Sequence, residues 1–205
     1  MSLTALKRRN PERARFVYAE EIESSYRIMS GVLIANPVGA ALLAFGLYRG
    51  IPHRAAILWF AAISTWSLLM ELLCLWHRRS QPSVNDARIW GHRLVAAVLA
   101  NGCIWGAAGV VMFPDELSLQ LMLAFALILV CIAGVSAGTH LPSAYALNIP
   151  VLAPFIVRMG LVGDQFHLTL AGGMVIMLAL MLYFAGVLNN LVVNSIIQHA
   201  YLSVI

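Results

Sequence analysis

Six long apolar runs constrain this chain more than any other feature. They are Gly31–Tyr48, Ala55–Trp76, Leu94–Phe113, Leu117–Gly138, Ala144–Val162 and Phe166–Leu188. Each approaches or exceeds the roughly 20 residues a helix needs to cross a bilayer. Within hydrocarbon there is no water to satisfy backbone N–H and C=O groups, so such runs must be helical. Most connections are short: Arg49–Arg54, Pro114–Glu116, Thr139–Ser143 and Gly163–Gln165. Only His77–Arg93 is longer, and its Pro82-Ser83 suits the start of a short helix. Short connections make consecutive helices antiparallel neighbours. The expected fold is all-α: a polytopic membrane protein built as a six-helix transmembrane bundle. Charged residues make up 11% of the chain, against about 25% in a soluble domain, which excludes an ordinary soluble enzyme.

The two ends differ from the middle. Residues 1–30 are polar, with a basic cluster of Lys7, Arg8, Arg9, Arg13 and Arg15. From Pro11 the pattern predicts an amphipathic helix at the membrane surface, with Phe16, Ile22, Tyr26 and Met29 as its apolar stripe. No signal peptide is expected, because a long charged segment precedes the first apolar run. At the other end the sixth helix passes Leu188 without a turn signal and becomes amphipathic. Asn189, Asn190, Asn194, Ser195, Gln198 and His199 alternate with Leu191, Val192, Ile196, Ile197, Leu202 and Ile205. The division is therefore a lead-in segment over 1–30, a membrane domain over 31–188 and the start of a connector helix over 189–205.

Basic residues give the orientation. Lys7, Arg8, Arg9, Arg13, Arg15 and Arg27 precede the first span, and Arg78, Arg79, Arg88 and Arg93 lie between the second and third. The opposite side has Arg49, Arg54 and Arg158. Both termini are expected in the cytoplasm of a bacterial inner membrane. The formal charge of +4 records this asymmetry and does not imply nucleic-acid binding.

Glu71 is the one acidic residue well inside a span, and an unpaired carboxylate there costs several kcal/mol. At the estimated depth of Glu71 lie Asn36, Ser136 and Asn148, with His140, Tyr145, His92 and Arg93 at the rim. A shared polar network follows as an expectation. It would serve as a ligand or switch site, or as hydrogen bonding that fixes helix register. Asn101 and Trp105 sit one turn apart near mid-membrane, where a tryptophan suggests packing or a pocket wall. Gly102, Gly106 and Gly109 make a thin face on the third span, and Gly134 and Gly138 another on the fourth. Both suit close packing inside the bundle, with dimerisation through Gly134 and Gly138 as the alternative.

The six histidines have no HxxH or HExxH spacing and no pair deep in the bilayer at matched depth, so neither a metal nor another cofactor is expected. His53, His167, Asp164 and Asp115 form a weak exception on the outer side. Cys74, Cys103 and Cys131 are read as reduced structural thiols. No nucleophile–base pair and no phosphate-binding loop is apparent, so no catalytic residue is assigned.

The order of elements resembles a class of bacterial six-span sensor modules that precede GGDEF, EAL or histidine-kinase domains. The matching pieces are Glu20-Glu-Ile-Glu-Ser-Ser-Tyr26 leading into the first span, Gly102-Cys-Ile-Trp105-Gly106, Phe113-Pro114, and Leu188-Asn-Asn with Gln198-His-Ala. The resemblance implies a homodimeric input module whose sixth helix and connector signal to a kinase or to an enzyme of cyclic di-GMP turnover beyond Ile205. A small or lipophilic ligand is compatible with it. The alternative is a small transporter or channel, with the proline-interrupted first and fifth spans marking a midplane site.

Overall fold

The computed structural model describes residues 11–137 and 140–202. Lys7, Arg8, Arg9, Gly138 and Ile205 lie outside the described residues, as does the side chain of Ser136. Six helices are described: α1 Pro11–Leu47, α2 His53–Ser80, α3 Ala87–Val111, α4 Leu117–Ala137, α5 Leu141–Val162 and α6 Gln165–Leu202. The helices α2 to α6 each hold an apolar stretch long enough to cross a membrane. The parts Pro11–Met29 and Ile34–Leu47 of α1 diverge by 48°, and taken together as one bent element they bring the candidate spans to six. The cause is in the sequence. Pro37 has no N–H for the Leu33 carbonyl and its ring presses on that carbonyl, so the axis yields one turn before the proline. Ser30-Gly31 falls at the same place, and such pairs bend readily.

Helices α3 and α5 form the most extensive pair, and α5 also carries α6. The α1 helix packs on α2 and touches α3 and α4. The centre is filled by Trp105, Phe155, Leu152, Leu94, Met112 and Leu127. Trp59 and Trp66 of α2 donate from Nε1 to the Ile104 and Ala97 carbonyls of α3, at 2.7 and 3.2 Å. Side chains such as Phe45, Leu58, Phe125, Ile176 and Tyr183 point outward, as helices facing lipid require.

The glycine face of α3 meets α5, as its thinness predicts. A Cβ on Gly102 would stand 2.8 Å from Pro150 Cγ and 2.9 Å from the Leu147 carbonyl. One on Gly106 would collide with the Pro150 carbonyl, and one on Gly109 would stand 2.8 Å from Phe155 Cβ. The match is chemical as well as steric. Pro150 and Pro154 remove the helix hydrogen bonds to the Ala146 and Pro150 carbonyls. Those two carbonyls are among the atoms nearest Gly102 and Gly106, where only a hydrogen substituent leaves room. Gly134 likewise sits against Leu147 of α5, so it packs within the bundle.

The N-terminal half of α1 docks on the end of the bundle that carries Arg78, Arg88 and Arg93. Ile22 and Tyr26 are each 1% exposed. Tyr26 donates its hydroxyl to the Trp90 carbonyl at 3.1 Å and stacks on His77 at 4.0 Å. The guanidinium of Arg93 lies over the Trp76 and Trp90 rings. Phe16, a member of the expected apolar stripe, is half exposed, whereas Ala14, Val17, Glu21 and Ser25 are buried. The buried face is therefore wider than an apolar stripe and includes two polar groups, which hydrophobic periodicity does not report.

Candidate functional site

Asn36, Asn101 and Trp105 come together, without Glu71. Asn36 of α1 donates from Nδ2 to Asn101 Oδ1 at 3.0 Å, and Trp105 Nε1 donates to Asn36 Oδ1 at 3.2 Å. Asn101 and Trp105 share a face of α3 because they are four residues apart. Trp105 also meets Trp59 edge to face at 5.2 Å. This triad borders a groove of about 380 Å³ between α1 and α4. Leu42, Leu43, Phe125 and Leu129 supply apolar wall, and Gly39 and Gly134 also border it. Asn101 Nδ2 donates to no described residue, so a donor remains at the groove. The arrangement suits an apolar molecule with one oxygen acceptor. Mostly hydrophobic walls with few fixed polar groups are typical of a small-molecule site.

Removing one asparagine strands the other. We expect Asn36→Ala to lower stability in detergent by about 1 kcal/mol, within the range for polar contacts between membrane helices. The double variant with Asn101→Ala should cost less than the sum of the singles, as measured by thermal unfolding.

The other candidates stand apart. Glu71 is half buried on α2 and hydrogen-bonds to no described residue. Among the described residues no hydrogen bond joins Glu71 to Asn36 or Asn148. Equal depth places groups at one level, but Asn36 faces α3 while Glu71 sits on the flank of α2. Asn148 is fully buried and donates to the Ala144 carbonyl of its own helix at 2.7 Å. His140 precedes α5 and pairs through Nδ1 with Ser143 Oγ at 2.9 Å. Burial pushes its pKa down to about 4, helped by nearby His92, so it is neutral at physiological pH. Tyr145 is partly exposed.

On the opposite side, His53 pairs through Nε2 with the Tyr48 carbonyl, while His167 meets Asp164 and, at 2.8 Å, Gln120. The His167 backbone N–H donates to Asp164 Oδ1 at 2.9 Å. This hydrogen bond holds the Asp164 carboxyl below its ordinary range and caps α6. Among the described residues no three His, Cys, Asp or Glu side chains cluster as metal ligands.

Sequence reasoning misses a second polar contact, between the two ends of the chain. Asn189 of α6 donates from Nδ2 to Glu21 Oε1 of α1 at 2.8 Å. Beside it Ala14 and Val17 pack on Val193 and Ile197. Burial raises the Glu21 pKa to about 7, against the smaller opposing pull of the Asn189 hydrogen bond. Part of the signal is in the sequence: Ala185, Asn189, Val193 and Ile197 recur every four residues along one face of α6. The other face, with Leu188, Leu191, Ser195 and Gln198, is exposed. No family model matches the chain, and no curated protein or solved structure matches it either.

Proposed function

We propose that this chain is the membrane-embedded input and dimerisation module of a bacterial signalling protein. In this reading both termini are cytoplasmic, and the sixth helix carries the signal to an output domain, a kinase or an enzyme of cyclic di-GMP turnover. The observation that carries the reading is the course of α1. One helix bears Asn36 at the groove and Glu21 at the clasp on α6, with a 48° bend between them. A lipophilic ligand with an oxygen acceptor would compete for the asparagine donors and shift the angle of α1. The clasp would pass that shift to the extension of α6.

The exposed face of the extension supports pairing of two copies. Leu188, Leu191, Ser195 and Gln198 on that face have the alternating three- and four-residue spacing of a coiled-coil seam, which Leu202 and Ile205 continue in the sequence. Its polar positions weaken the pair and leave it switchable. Residues 189–202 extend roughly 21 Å at 1.5 Å per residue. In membranes, Ser195→Cys should give a disulfide-linked dimer on mild oxidation, and removal of residues 189–205 should weaken dimerisation in detergent. Monomeric Ser195→Cys under conditions that cross-link a cysteine elsewhere on α6 would count against this seam.

A transporter is the second reading, and the groove beside α1 and its proline is its best support. The prolines of α5 lend it less, because they pack on glycines of α3. Ligand-dependent flux in proteoliposomes would favour it over the sensor.

A further inference from the structure

A second and larger cavity differs from the groove in its chemistry. It measures about 680 Å³ and lies between the N-terminal half of α1 and the α2–α3 connection. Its polar lining is Arg15 and Tyr18 from α1, Asn85 from the connection, and Arg88 and His92 from α3. Neither arginine forms an ion pair with a described residue. The nearest carboxylate in sequence, Asp86, is engaged by Ser83, whose N–H and hydroxyl donate to Oδ2 at 3.1 and 2.7 Å. No Asp or Glu is among the described lining residues. We propose that this cavity binds a phosphate-bearing anion between Arg15 and Arg88.

The residue types suit that chemistry. A guanidinium stays charged and presents a planar fork of donors that matches phosphate oxygens, and the two come from different helices. The Tyr18 hydroxyl and Asn85 amide add neutral donors. Depth narrows the source to two. Arg88 precedes the apolar run that begins at Leu94 by six residues, or about 9 Å of helix. That is comparable to the thickness of the head-group layer, where a lipid phosphate and a phosphate from solution both have access.

The test uses the full chain in nanodiscs of phosphatidylcholine, with thermal unfolding as the readout. One arm adds phosphatidic acid to the bilayer, and the other adds pyrophosphate to the buffer. We expect at least one arm to raise the unfolding temperature, and Arg15→Gln with Arg88→Gln to weaken the apparent affinity by about ten-fold or more. A response to the lipid alone identifies a head-group site, and a response to pyrophosphate identifies a soluble anion. The pair Arg49→Gln and Arg54→Gln at the opposite end should respond as the wild type does. The proposal is overturned if the wild type responds to neither probe, if the Arg15/Arg88 variant responds fully, or if both variants lose the response equally.

Discussion

Replacing Gly106 with valine is expected to prevent α3 from seating on α5 and to destabilise the whole bundle. Even the Cβ of alanine would collide with the Pro150 carbonyl, which is backbone and cannot rotate away. Overpacking a well-filled core costs about 1–3 kcal/mol and more where backbone must move. The backbone in question belongs to the most extensive helix pair of the bundle. Folded protein recovered from membranes should fall sharply, and any that remains should unfold at a lower temperature. Gly172 and Gly173 of α6 provide the contrast, because a Cβ at either meets nothing within 4 Å. Gly173→Ala should be neutral or stabilise by up to about 1 kcal/mol, through helix propensity. Equal loss in Gly106→Val and Gly173→Val would mean that lipid-phase helix propensity, rather than the α3–α5 contact, governs stability.

Glu21→Gln is expected to stabilise the protein above neutral pH and to flatten its pH dependence. The buried carboxyl has its pKa raised from 4.5 to about 7, so between those values the folded state holds more protons than the unfolded state. Stability then falls as pH rises through that window and levels off above it. The full effect is about 3 kcal/mol at most. Tyr18, on the same helix, is a titratable neighbour; burial raises the Tyr18 pKa, and the Glu21 charge raises it further. A glutamine keeps Oε1 as an acceptor for Asn189 and has no charge to desolvate. Unfolding temperatures of wild type and variant should therefore converge near pH 5 and separate near pH 8. Parallel curves over that range would remove Glu21 as the titrating group. In a signalling context the same variant should fix the clasp in its low-pH form.

The polar residues divide into those whose role is legible in the sequence and those whose role is not. Trp105 and Asn101 are legible, because they lie one turn apart on a face whose neighbours are glycines. The packing of Gly102, Gly106 and Gly109 within the bundle is legible for the same reason. Glu71 draws attention by its cost in a membrane, yet it hydrogen-bonds to no described residue. Depth along the membrane normal follows from counting residues, but the direction a residue faces depends on which helices stand beside its own. The clasp between Glu21 and Asn189 joins positions 168 residues apart, and no local pattern reports a contact at that separation.

The sequence by itself determined the helices and their crossings, because length and apolarity decide what can span a bilayer. It also determined that α6 runs past Leu188 without a break, since no proline or glycine follows Gly186. The tertiary structure decided which polar groups meet. It turned the N-terminal half of α1 onto the bundle, since Glu21 is buried where Asn189 of α6 donates to it, while Ser25 donates to the Glu21 carbonyl of its own helix. It set the freed carbonyls of α5 against the glycines of α3, a fit that depends on register between two helices. Periodicity fixes what lies on each face of one helix; only packing chooses the face it meets.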